Sequence, residues 1–223
     1  DFCLSRGLGD VYKRQSLLIF RAMMESAQKR PRGRPVTTDP AAVGLTALKL
    51  FHELGIDKVT MDDVAFEAGI SRSNLFRIFP SKSAVVWGGM QRITEELKSQ
   101  LANNPETSVV KLLHHSWVGA MRVLDNSLDT VRLRLKLIGS SPEVYGWGHA
   151  QLEEARKVLE SAIAKIEGPD SVRAKMISSA LIAASMAVLT WWAESDDQRS
   201  VTAVLDESLS DFESIFAQYA QGE

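Results

Sequence analysis

Two helix-start signals stand only eleven residues apart in this chain, at Thr60 and Ser71, and this spacing constrains the fold more than any other feature. Thr60 is an N-cap residue with Asp63 three positions on, the spacing of a capping box, and Val59 and Val64 are placed as a hydrophobic staple across it. Asp62 and Asp63 also suit the positive end of a helix dipole. Gly69 stops the segment within two turns, Ser71 caps a second short one, and Pro80 closes that one after Phe79. Two short helices joined by a Gly-containing turn make a helix-turn-helix. Ala65 is small where the helices must approach, Gly69 permits positive φ in the turn, and Ile70 plugs the gap between them. In the second helix Leu75 and Phe79 face inward, which leaves Arg72, Ser73, Asn74, Phe76 and Arg77 outward. These side chains suit DNA: Arg for guanine edges or phosphate, Asn for adenine, Ser for either.

The flanks are helical as well. Val43, Ala47, Leu50, Phe51 and Leu54 form one apolar face at a 3.6-residue period, ended by Gly55. Ser81 caps a longer helix whose stripe is Val86, Met90, Ile93, Leu97 and Leu101; Gly88 and Gly89 lie inside it as a soft point or a site of close packing. Further helices are expected over Glu106–Leu124, Leu128–Ile138, Glu143–Glu167, Ser171–Ala193 and Ser200–Tyr219, with breaks at Asn126, Ser140–Pro142, Gly168–Pro169 and Ser195–Gln198. No segment alternates with period two for long enough to make a strand. The fold class is all-α. A leader and arm over residues 1–39 precede a three-helix helix-turn-helix domain over 40–91, followed by a larger helical domain over 92–223.

Charge divides the chain unequally. Met23–Arg92 holds 10 Lys/Arg against 7 Asp/Glu, about +3, while Ile93–Glu223 holds 12 against 19, about −7. A basic front and an acidic rear direct only the front toward a polyanion. The run Gln28-Lys-Arg-Pro-Arg-Gly-Arg-Pro35 cannot continue a helix and reads as a flexible basic arm. Its Arg32-Gly33-Arg34-Pro35 core matches an AT-hook, in which Arg32 and Arg34 enter a narrow A·T-rich minor groove; a basic tail making nonspecific phosphate contacts is an equal alternative. Residues 1–22 carry neither helical period nor cap and read as a leader foreign to the fold, with Met23 or Met24 as the start.

One cysteine, Cys3, permits no intrachain disulfide, and the apolar run at Ser16–Phe20 is too short for a signal-peptide core; both fit the cytoplasm. Met176–Ala193 is uncharged for 18 residues, the lower limit for a bilayer span, but its serines, threonine and five alanines favour a buried helix and no membrane partner. Adjacent His114 and His115 point about 100° apart on a helix and do not chelate one ion. Neither they, His52 nor His149 belongs to a metal-site spacing. No nucleophile elbow, phosphate loop or dinucleotide fingerprint occurs, so neither enzyme, metal nor cofactor is expected.

The segment Thr60-Met-Asp-Asp-Val-Ala65-Phe-Glu-Ala68-Gly69-Ile-Ser71 through Leu75-Phe76, Phe79 and Lys82 resembles the DNA-binding domain of the TetR family of regulators, over Pro40 to Gln91. Phe76 stands where the family usually has Tyr, which removes a hydroxyl contact to phosphate, and Ile78 replaces a frequent His or Tyr. The run Phe76–Gly88 further resembles the mycofactocin-associated branch. The resemblance implies that Ser71, Arg72, Ser73, Asn74, Phe76 and Arg77 enter or border the major groove, with Thr60 and Lys82 holding phosphates.

It also implies a C-terminal domain with an internal pocket and a dimerising helix pair, hence a homodimer on a palindromic double-stranded DNA operator. Val172, Met176, Ala180, Ala183, Ala184 and Ala187 share a side of one helix. Val204, Leu205, Leu209, Phe212, Phe216 and Tyr219 give bulk to the last, for an interface or for the monomer core. Trp87, Met90, Ile93, Trp117, Met121, Leu135, Trp147 and Trp191 are the residues expected around a small apolar or amphipathic effector, an acyl-CoA or aromatic metabolite among them. A ligand-responsive repressor is the reading preferred; a constitutive or architectural DNA binder is the alternative, and a filled core would mark it.

Overall fold

The computed structural model describes residues 39–106, 108–168 and 172–220, with side chains described as far as residue 211. Residues 1–38, with Arg32, Arg34 and the leader, lie outside the described residues. Thr38–Glu223 form one compact unit, and every regular element in its described part is a helix.

Helix α1 (Pro40–Leu54) starts on Asp39, whose carboxylate accepts the Ala41 N–H at 2.9 Å, with Pro40 in the first turn. It buries Val43, Ala47, Leu48 and Phe51. Helices α2 (Met61–Glu67) and α3 (Arg72–Ile78) follow, then α4 (Lys82–Val86). Their closing residues are the expected ones: Val59, Val64, Leu75 and Val86 are all almost completely buried, and Gly69 takes positive φ in the turn.

The expected long helix from Ser81 is instead two. Helix α4 ends at Val86, and α5 (Met90–Asn103) begins after Gly89, whose φ of 101° lies where a Cβ is strained. The reason is Trp87. It is 3% exposed, its indole N–H donates to the Val144 carbonyl at 2.8 Å, and Tyr145 meets it edge-on at 6.3 Å. A straight helix would carry the following chain away from that seat; the two glycines let it turn.

The body comprises α6 (Val109–Met121), a 3-10 segment (Arg122–Ser127), α7 (Leu128–Ser140), α8 (Pro142–Trp147), α9 (His149–Glu167), α10 (Val172–Glu194) and α11 (Val201–Ala220). Here too one expected helix, Glu143–Glu167, is broken, at Gly148. A Cβ there would lie 2.3 Å from the Trp87 ring, so the same indole requires glycine at this break. Helix α5 packs on α6 and α9, α10 on α7, α9 and α11, and α7 also receives α1 and α4 from the N-terminal helices. Arg132 of α7 stacks on Trp192 at 4.0 Å and donates to the carbonyls of Trp192, Ser195 and Asp197, closing the end of α10.

Helix α10 is long and apolar enough, by length and composition, to cross a membrane, yet 44% of its most apolar window is buried inside the protein. Ile182, Met186, Leu189 and Trp192 form the inward face. Val204, Leu205 and Leu209 of α11 are buried as well. The first half of the last helix therefore closes the monomer core, which of the two expected roles assigns the core to these three; the side chains of Phe212, Phe216 and Tyr219 lie outside the described ones.

Gly148→Ala should strike the Trp87 ring and cost roughly 1–3 kcal/mol. Urea unfolding measures this, and an unchanged midpoint would contradict the seat.

Candidate nucleic-acid interface and ligand cavity

The outer surface of the N-terminal helices is built on caps. Thr60 accepts the Asp63 N–H at 3.2 Å, while its own N–H and hydroxyl donate to Asp63 Oδ2 at 2.9 and 2.7 Å. Ser71 accepts the Asn74 N–H at 3.2 Å and so fixes the start of α3. Leu75, fully buried, pins that helix from beneath, and Ser71, Arg72, Ser73, Phe76 and Arg77 remain exposed, with Asn74 half-buried.

The two guanidinium groups of α3 are already oriented. Arg72 pairs with Asp62 at 3.1 Å and lies 5.4 Å from the centre of the Phe76 ring. Arg77 donates to the Asn74 side-chain oxygen at 2.7 Å. Both contacts are solvent-facing and worth little in stability, so they position the side chains without withholding them. Lys82 donates to the Ile56 carbonyl at 2.7 Å, tying α4 to the loop after α1. Thr60 and Lys82 thus both have local structural partners, and Thr60 has its hydroxyl engaged with a carboxylate.

A second feature lies in the body. An apolar cavity of about 50 Å³ is walled by α5, α6, α7, α9 and α10, with Trp87 and Gly88 completing it at the break after α4. Of the eight residues expected around an effector, Trp87, Met90, Ile93, Trp117, Met121 and Leu135 line it. Trp147 and Trp191 do not. Trp147 packs against the core elsewhere. Trp191 is 55% exposed on the outer side of α10, since the inward face of that helix is already taken by Leu189 and Trp192. Trp117 is fixed by its indole N–H to Ser185 Oγ at 2.8 Å.

One lining residue is charged and escaped the sequence reading: Arg134. Its Nε is buried without an acceptor, and Nη2 has a single long contact of 3.4 Å to the Val85 carbonyl. None of the ion pairs among the described residues includes it. Burial lowers its pKa from the ordinary arginine value. A buried N–H without a partner costs about 1–3 kcal/mol, more for a charged group. The signal was present in the stripe Val131, Leu135, Ile138, which Arg134 joins at helical spacing: a charge within an apolar face.

The sequence pattern of the bacterial regulatory proteins of the tetR family matches residues 45–86, and that of the MftR C-terminal domain matches residues 107–217. The chain belongs to the TetR family. It is a DNA-binding transcriptional regulator whose C-terminal domain is of the MftR type. It is 29% identical over 160 residues, 68% of this chain and 80% of the relative, to the "Putative mycofactocin biosynthesis transcriptional regulator MftR" of Mycobacterium tuberculosis. Its fold is similar to that of the fatty acid degradation regulator FadR from Bacillus halodurans, with a TM-score of 0.57, 16% identity, and 80% and 95% of the two chains covered. It is also similar to that of NalD, the secondary repressor of the MexAB-OprM efflux pump in Pseudomonas aeruginosa, with a TM-score of 0.53, 19% identity, and 77% and 92% covered.

In this regulator the exposed α3 is the element expected in the major groove. Arg77→Ala should weaken binding to a selected DNA duplex by about 1–3 kcal/mol, roughly 5- to 150-fold. Anisotropy titrations over a salt series check this: a flatter salt slope marks a phosphate contact, relaxed preference at one base pair marks guanine readout. An unchanged isotherm would displace α3 from the groove.

Proposed function

We propose that the regulator is a homodimeric repressor which holds a palindromic operator through its paired α3 helices and releases it when a small apolar or amphipathic molecule enters the body cavity. The observation that carries this is the shared wall: Trp87 and Gly88 directly follow α4 of the helix-turn-helix domain and also line the cavity. An occupant that moves either residue acts on α4 without any intervening element. The presence of a cavity, rather than a filled core, favours this reading over a constitutive DNA binder. The fit of acyl chains or aromatic metabolites follows from the lining of tryptophan, methionine and aliphatic side chains.

The dimer rests on a second observation. Val172, Met176, Ala180, Ala183, Ala187 and Trp191 recur at steps of three and four and are all exposed, Val172 at 83%, Met176 at 63% and Trp191 at 55%. A contiguous apolar stripe on a helix otherwise packed into the body fits a second copy of the same helix, with the end of α11 beside it. The small alanines at its centre let two helices approach closely. This covering also accounts for the apolar outer face of α10 in a cytoplasmic protein. Met176→Glu together with Trp191→Glu should convert the dimer to a folded monomer in sedimentation velocity and weaken operator binding at least tenfold. Persistence of the dimer would assign the interface elsewhere.

The electrostatic attraction to DNA comes from the arm. Residues 39–92 carry 6 Lys/Arg and 6 Asp/Glu, so the helix-turn-helix domain itself is neutral; residues 23–38 carry 4 against 1 and hold the whole excess of +3. In this reading Arg32 and Arg34, with Lys29 and Arg30, supply the phosphate or minor-groove contacts. Deleting residues 28–35 should lower the slope of log K against log salt by up to about 3–4, since each neutralised phosphate contributes about 0.9. An unaltered slope would return the attraction to the helices.

A further inference from the structure

The cavity has one charged side chain in its wall, and the fold leaves its Nε without an acceptor. Arg134 can be compared with Arg132, two residues earlier on the same helix. Arg132 has an aromatic face beneath it and carbonyls at 2.6 to 2.9 Å before it. Arg134 has only the Val85 carbonyl at 3.4 Å and leaves Nε buried without an acceptor. None of the ion pairs among the described residues includes Arg134, and Arg134 lines the cavity.

We propose that the regulator's ligand is an amphipathic acid, an apolar body ending in a carboxylate, and that Arg134 binds the carboxylate. This rests on the reading of the cavity as the effector site and adds the chemical class of the effector. A guanidinium is a planar fork whose parallel N–H groups match a carboxylate, and the remainder of the wall is apolar. At about 50 Å³ the cavity holds only the beginning of such a molecule, well below the roughly 300–1,000 Å³ of sites for larger organic ligands. Met90, Met121 and Met186 line it; their unbranched side chains can swing aside to admit a chain or a ring.

The position of Arg134 gives the ligand a means of action. Its contact with Val85 is to the C-terminal end of α4, and a Cβ on Gly88 or Gly89 would lie 3.6 or 3.9 Å from its terminal nitrogens. A carboxylate in the cavity draws the guanidinium from the Val85 carbonyl and loosens the tie between α7 and the DNA-binding helices at the two glycines, where the backbone is free to turn.

The test uses the full purified chain, with isothermal titration and the fluorescence of Trp87 and Trp117 as readouts. The probes are straight-chain carboxylates of six to twelve carbons and phenylalkanoates, each beside its alcohol, its methyl ester and its coenzyme A thioester. The expected result is a carboxylate bound at least tenfold more tightly than its ester and alcohol. Arg134→Gln should reduce that ratio to within about twofold while ester affinity is kept, and Arg134→Lys should retain part of it, because the charge remains and the fork does not. Retained ester binding also shows that the variant pocket is folded. Equal binding of acid and ester by the natural chain, an acid preference surviving in Arg134→Gln, or a preferred thioester indifferent to that substitution would each overturn the assignment of Arg134 while leaving the cavity as the effector site. Binding of no probe would overturn the cavity reading itself, and this one with it.

Discussion

The burial of one indole organises this molecule. Trp87 ends α4, bonds to α8 through the Val144 carbonyl, and occupies the place of the missing side chain at Gly148. A tryptophan removes about 150–250 Å² from water, several kcal/mol at roughly 25 cal/mol per Å². That is enough to offset two helix interruptions in which glycines replace better helix formers at about 1 kcal/mol each. The interruptions set the direction of α5 and separate α8 from α9, and both faces of the cavity nearest the DNA-binding helices follow from them. The joint between the two halves of the regulator is therefore a packed aromatic residue, with glycine only where the backbone must turn around it.

Local chemistry was legible wherever it was self-contained. The caps at Thr60 and Ser71, the turn at Gly69 and the buried positions Val64 and Leu75 depend on residues a few positions apart, and the structure has them as the spacing predicts. Six of the cavity residues were also recoverable, because bulky apolar side chains on inward helix faces surround whatever space the helices leave. The failures share a different cause. Gly148 is glycine because of a side chain sixty-one positions away, and nothing in Glu143–Glu167 announces the break. Trp191 and Trp192 are adjacent, and composition does not say which is inside; the answer lies in Arg132 and the Arg199 carbonyl, which hold Trp192 and leave Trp191 outward. Arg134 was passed over because a charged residue on a helix reads as solvated surface until its neighbours are known.

The N-terminal helices divide two tasks that regulators of DNA must both perform. Attraction over distance requires net positive charge, and readout requires a few side chains held in place. With equal numbers of acidic and basic residues over 39–92, these helices have little of the first. They have the second: Asp62 and Phe76 hold Arg72, and Asn74 holds Arg77. If Arg72 meets DNA as proposed, Asp62 beside it weakens nonspecific adhesion more than specific binding, since the carboxylate must be outcompeted by a well-placed partner. In the proposed reading the basic run at residues 28–35 supplies the attraction that these helices lack.

Helix α7 is where these parts meet. It receives α1 and α4 on one side and α10 on another, and its two arginines divide the work: Arg132 fixes the helix to the end of α10, while Arg134 holds the end of α4 by a single long contact. In the proposed mechanism the weakly held end of α4, rather than the packed contact of α7 with α1, is where a disturbance of α7 is taken up. Coupling between effector and DNA sites is ordinarily about 1–3 kcal/mol, the scale of one buried polar group gaining or losing its partner. A ligand shifts such an equilibrium only by the difference in its affinity for the two states; in the proposal made above, that difference comes from the carboxylate that Arg134 Nε lacks in this structure.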